Sequence, residues 1–189
     1  MSVPSQQYAG LANDAYEDRR VGRQQPPDME RVSIDGVAYQ VLEHVNHARS
    51  GYQGTVYQRI DTREIVVAHR GTEQIWKDGV VADGSMVANR TNPQADEAVE
   101  LTRRALAYAR QEGRESGQRA PEVTVTGHSL GGTLAQVSAH HFDLRGETFN
   151  AYGAASLDRR IPEGGNRVLN HVMAADAVSA ASPHYGQVR

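Results

Sequence analysis

Apolar side chains recur along the chain in two rhythms, and each rhythm predicts an element. Tyr8, Leu11, Ala12 and Ala15 fall at helical spacing and predict a short amphipathic helix near the start. Residues 18–35 are polar, carry Pro26 and Pro27 side by side, and read as a surface loop. Strands are expected over 37–43, 55–61 and 64–69, the last two joined by a turn at Asp61-Thr62-Arg63. The run Ile65-Val66-Val67-Ala68 does not alternate, as suits a strand covered on both faces.

Further on, residues 73–93 hold Trp76 and scattered glycines and read as a long loop or lid with a short helix. A helix is expected over 93–110, with Leu101, Ala105 and Tyr108 on one face and Glu100 and Arg104 four apart on the outside. After a polar loop at 112–121 come a strand at 122–126, a tight turn at 127–132 and a helix at 133–141. Strands at 148–152 and 167–173 flank a loop at 153–166, and the tail 174–189 reads as irregular. Helices alternating with buried strands predict an α/β fold: a mostly parallel central sheet, helices on both faces, and an antiparallel edge from the early strands.

The length of 189 residues suits one domain, 1–189, with or without a C-terminal continuation. A net charge of −3 leaves no electrostatic footprint for nucleic acid. No run approaches the roughly 20 apolar residues that span a bilayer. Hydrophobic residues make up 39% and mean hydropathy is −0.60, which suits long polar loops around an ordinary core. Cysteine is absent, so thiolate nucleophiles, thiolate zinc sites and disulfides are excluded. The first twenty residues lack a basic segment followed by an apolar one, so the expected location is the cytoplasm, or outside it by a route that needs no N-terminal signal peptide. His140 and His141 are adjacent and diverge on a helix, no phosphate loop occurs, and neither a metal nor another cofactor is expected. The acidic pairs Glu73/Asp78 and Asp143/Glu147 read as solvated loop charges.

Chemistry concentrates in Gly127-His128-Ser129-Leu130-Gly131, between an expected strand and an expected helix. A serine at the apex of a strand-to-helix turn exposes its hydroxyl, and flanking glycines remove Cβ atoms that would collide there. The following helix aims its N-terminus at the same point, where developing negative charge is favoured.

The longer string from Thr124 to Gly132 resembles the class 3 lipase family of α/β-hydrolases. Val66-Val67-Ala68-His69-Arg70-Gly71-Thr72 is similar to that family's oxyanion strand, and Trp76-Lys77-Asp78 lies where the family often carries a tryptophan and an aspartate. Phe149-Asn150-Ala151-Tyr152-Gly153 and the stretch from Asn170 to Val178 resemble its two later strands, the second ending in the catalytic aspartate. The resemblance covers about residues 8–186 with the motifs in order. It departs at Asn92-Pro93-Gln94, where the family commonly has His-x-Gly-Phe, and in the proline after the aspartate motif, which is shifted.

This resemblance implies an α/β-hydrolase-like fold with a Ser-Asp-His triad. Ser129 would be the nucleophile, the amides of Leu130 and Thr72 the oxyanion hole with the Thr72 hydroxyl as a third donor, and Asp176 the carboxylate that orients the base. Read without the family, Ser129 and Asp176 both follow expected parallel strands, where such sheets bind ligands; a solvated loop carboxylate is the other reading of Asp176. Arg70 reads as an arginine bracing the loop. His140 and His141 stand on the order of 16 Å from Ser129 at about 1.5 Å per residue, too far to act. His128 and His69 read as packing, His44 and His47 as surface residues ahead of the core sheet, and His171 as a strand residue. Only His184 follows Asp176. It is either the base or, like the similar His-x-Gly element of many class 3 lipases, a bystander, with the base beyond Arg189.

The expected function is a lipase or phospholipase that cleaves acyl-glycerol or phospholipid esters through an acyl-enzyme, with transient contact to a membrane surface. The lipase part of a bacterial effector is one setting for it. A soluble carboxylesterase or thioesterase uses the same mechanism, and residues 73–93 decide between them: Val80, Val81, Met86 and Val87 supply either an apolar lid or ordinary core packing. A non-catalytic binding module of the same fold is the reading from a different class. Oligomeric state is not legible.

Overall fold

The computed structural model describes residues 3–71, 84–157, 159–173, 180 and 182–189. Along the chain these form α1 (Ser5–Asp14), β1 (Gly22–Arg23), β2 (Arg31–Ile34), β3 (Val37–His47), β4 (Tyr52–Arg59), β5 (Ile65–His69), α2 (Gly84–Ser116), β6 (Val123–His128), α3 (Leu130–Phe142), β7 (Arg145–Phe149), a 3-10 turn (Ala154–Ser156), β8 (Gly164–His171) and β9 (Tyr185–Val188). The strands make one sheet in the order β1-β3-β4-β5-β6-β7-β8-β9, with β2 paired to β3 beyond that path. Pairing is antiparallel from β1 to β5 and parallel from β5 to β9.

All five residues of β5 are buried, as the unbroken apolar run requires. One face, through Val66 and Ala68, packs with Tyr8, Leu11 and Ala15 of the α1 segment and with Tyr39 and Tyr57. The other, through Ile65 and Val67, packs with Leu101 and Ala105 of α2 and Leu134 of α3. Each fully buried Val or Ile contributes roughly 1.5–3 kcal/mol, so β5 holds the two layers together from the centre of the sheet. The parallel strands all run toward the same edge, and Gly71, Ser129 and Asn150 follow β5, β6 and β7 there.

Several expectations are corrected. The polar stretch 18–35 contains β1 and β2, and β2 turns into β3 through Asp35-Gly36, both at positive φ (46° and 79°). Such a two-residue Asp-Gly loop matches the strand twist and is a strong hairpin signal. β3 starts at 37 as expected but runs on to His47, and β4 is shifted from 55–61 to Tyr52–Arg59, so His44 lies inside the sheet, 1% exposed, with Nδ1 2.8 Å from the Thr55 hydroxyl. α2 begins at Gly84 and passes through Pro93, where a helix start was expected. β7 lies three residues earlier than expected, which puts Glu147 in the sheet, bonded to Ser5 and His171, instead of in a loop. The tail ends in β9, an edge strand on β8. Of the lid segment 73–93, residues 84–93 belong to α2 and the rest lies outside the described residues, with Val80 and Val81.

Candidate active site

Ser129 joins β6 to α3 with φ 56° and ψ −126°, a conformation that L-residues rarely adopt. Its backbone is held on both sides: its N–H donates to the Phe149 carbonyl at 3.0 Å, and its carbonyl accepts from Gly132 and Thr133 at 3.0 and 3.2 Å. Close approach explains the flanking glycines. A Cβ on Gly127 would lie 2.3 Å from the Gly131 carbonyl oxygen, and one on Gly131 would lie 2.1 Å from that of His69. The first turn of α3 therefore sits directly on the ends of β5 and β6, which is the strand–turn–helix elbow the sequence implied.

Leu130 occupies the first position of α3, where a helix offers its N–H no carbonyl partner, so that donor faces the Ser129 end. On the β5 side, Gly71 packs against the elbow: its Cβ position lies 2.8 Å from the His128 carbonyl oxygen and 3.4 Å from the Gly131 nitrogen. Thr72 follows Gly71 and lies outside the described residues, as does Asp176. The chain leaving β8 toward Asp176 is tied to the exit of β7, since the Met173 N–H donates to Asn150 Oδ1 at 2.9 Å.

His184 is buried beside α3, with Nδ1 3.2 Å from Gln136 Nε2. The orientation of the Gln136 amide is fixed by backbone groups. Its Oε1 accepts from Ala154 and Tyr185 N–H at 2.9 and 3.1 Å, and its Nε2 also donates to the Tyr152 carbonyl. Nε2 of Gln136 is thus the donor toward His184 Nδ1. Gln136 stands seven residues along α3 from Ser129. No sequence motif pointed to Gln136, which is buried in α3 together with the polar Thr133 and Ser138.

Other histidines divide by environment. His69, fully buried, places Nδ1 2.8 Å from the Tyr52 hydroxyl, and burial pushes its pKa down to about 3. His128 Nδ1 lies 3.3 Å from the Tyr16 hydroxyl. His171 places Nε2 2.7 Å from Glu147 and stacks on Phe149 at 4.9 Å. His140 packs edge-on against Tyr185. Arg70 bonds Gln53 and stacks over Tyr16, in keeping with a bracing role.

A mixed sheet with a serine elbow at the carboxyl ends of its parallel strands defines a lipase-type α/β-hydrolase fold. Solved structures agree. The Lip2 lipase from Yarrowia lipolytica matches 97% of this chain over 76% of its own, with TM-score 0.59 and 14% identity. A triacylglycerol lipase from Penicillium expansum matches 96% over 76% of its own at TM-score 0.54 and 17% identity. A lipase from Rhizopus microsporus var. chinensis matches 94% over 67% of its own at TM-score 0.51 and 17% identity. No curated protein sequence matches the chain. The chain belongs to the phospholipase-like family of Tle-like phospholipase domains, whose model matches residues 7–179. It is accordingly a carboxylic ester hydrolase of the lipase/phospholipase type. The matched span takes in Thr72, Ser129, Leu130 and Asp176 and ends before His184.

Proposed function

We propose that the protein cleaves the acyl ester of a phospholipid through an acyl-enzyme on Ser129. The strained Ser129 at the strand-to-helix apex, in a chain of a phospholipase-like family, carries this reading. Oγ adds to the acyl carbonyl while a base removes its proton and passes it to the departing alcohol. Water then adds to the acyl-enzyme by the same route, releasing the fatty acid and restoring the hydroxyl. The N–H groups of Leu130 and Thr72 receive the oxyanion, and loss of one such donor typically costs about 2.7–4 kcal/mol of transition-state stabilisation. Asp176 orients the base.

Chain order offers two bases, His184 or a histidine beyond Arg189. On the second, His184 is a structural residue anchored by Gln136. On that reading His184→Gln lowers thermal stability and leaves turnover of the full chain within an order of magnitude. On the other, it lowers turnover by several orders of magnitude, as removal of a triad base does.

Phospholipid or acyl-glycerol presented as an interface should be hydrolysed faster than soluble p-nitrophenyl acetate. Equal or better turnover of the soluble ester, with no gain on micelles, supports the soluble-esterase alternative instead.

A further inference from the structure

The α1 segment is tied firmly to the sheet just before it reaches the site. Past Asp14 the chain turns through hydrogen bonds from Ala15, Tyr16 and Glu17 N–H to Leu11, Asn13 and Asp14 carbonyls. The Asp14 carboxylate accepts from the Tyr57 hydroxyl of β4 at 2.5 Å and from Arg19. Tyr16 is thereby carried to the carboxyl end of the sheet.

Its hydroxyl meets two strand ends there. It lies 3.3 Å from His128 Nδ1, the side chain next to the nucleophile, and 2.7 Å from where a Cβ of Gly71 would be. Gly71 is in turn closed in by the His128 carbonyl and the Gly131 amide. Behind the ring, the Arg70 guanidinium stacks at 5.4 Å, held by Gln53 and 3.8 Å from the Asp18 carboxylate. The residue before the candidate oxyanion donor Thr72 is thus clasped between the elbow and one phenolic oxygen.

We propose that Tyr16 is a positioning residue for ester hydrolysis: its hydroxyl sets the gap between Gly71, after β5, and the Ser129 elbow, and so the placement of the Ser129 hydroxyl and the Leu130 N–H against the acyl carbonyl. This rests on the assignment of Ser129 and Leu130 above. Such donors act at about 2.7–3.1 Å from the developing oxyanion, and a shift of about 1 Å at a reacting centre can cost on the order of 100-fold. Because an oxyanion forms only on the way to the intermediate, displacing a donor lowers kcat and leaves ground-state binding nearly untouched.

The test is a kinetic cycle on the full chain with a phospholipid substrate. Tyr16→Phe keeps the ring and the Arg70 stacking, and should lower kcat by about tenfold or more while KM and the melting temperature barely change. Gly71→Ala places a methyl group against the Tyr16 oxygen, and should cost less kcat in the Tyr16→Phe background than in the wild type, because the clash is partly relieved. A fall in kcat of this size together with that coupling supports the role. An unchanged kcat in Tyr16→Phe, or losses that simply multiply, overturns it. Ser129→Ala serves as the reference. Turnover that survives it overturns the site assignment and the Tyr16 role with it, whereas Ser129-dependent turnover indifferent to Tyr16→Phe overturns the Tyr16 role alone.

Discussion

At the scale of single residues, the elbow is set by clearances that no other side chain satisfies. A methyl group on Gly131 would sit 2.1 Å from a backbone oxygen of β5, which cannot move without opening the β5–β6 pairing. Gly131→Ala should therefore destabilise the protein by about 3 kcal/mol, at the upper end of ordinary overpacking, read as a lowered denaturant midpoint. His69 predicts a pH effect. It is neutral when folded, with a pKa near 3 against 6.5 for an unperturbed histidine, so the unfolded chain binds the extra proton. Stability is then full above pH 6.5 and declines as pH falls from there toward 3, by about 2 kcal/mol at pH 5 from this residue. In His69→Phe that acid loss should shrink, leaving the smaller part due to His44, whose pKa burial and the nearby Arg19 also lower. An identical pH dependence in the variant would contradict the assignment. Ser129 was legible in sequence because its strain needs local glycines. Gln136 and Tyr16 were not, because their partners are 48 and 112 residues away.

At the scale of elements, α2 is fastened to β3 by a half-buried polar cluster as well as by its apolar face. Arg104 donates from Nε to both Glu43 oxygens at 3.0 and 3.2 Å, and the Tyr108 hydroxyl donates to the same carboxylate. The expected Glu100–Arg104 pair is present at 3.7 Å, but Glu43 is the closer partner. Arg104→Ala strands a carboxylate that is 9% exposed, and should cost about 2 kcal/mol, less than the roughly 3–5 for a fully buried pair because Arg104 itself is 33% exposed. Replacing both residues by methionine should recover most of the loss, measured by thermal melts. The long apolar strands were readable as such. β2 was hidden by its polar composition although Asp35-Gly36 announced its turn, and β9 is four residues whose pairing with β8 is decided by the tertiary fold. β7 was misplaced by three residues because Arg145 and Glu147 read as polar, while Gly146 pairs with Val125 at a place where a Cβ would lie 2.1 Å from the Val125 oxygen.

Across the whole molecule, the parallel strands divide the surface into two unlike poles. Ser129 and Gly71 stand at their carboxyl ends. At the opposite ends a groove of about 650 Å³ is lined by Arg63, Glu122, Asp143, Arg145 and Arg167 among others. Ligands of open α/β sheets bind at the carboxyl ends, so Arg145→Ala should leave hydrolysis unchanged despite removing a cation from this groove. That placement also explains why the fold class was legible: an alternating order of elements dictates a parallel sheet and hence which end carries chemistry. The central claim, that Ser129 is the nucleophile, is tested most directly by intact-protein mass spectrometry after exposure of the full chain to a fluorophosphonate. A single covalent adduct that maps to Ser129 and disappears in Ser129→Ala is the expected result. An adduct that persists in Ser129→Ala, or maps to another residue, would contradict it.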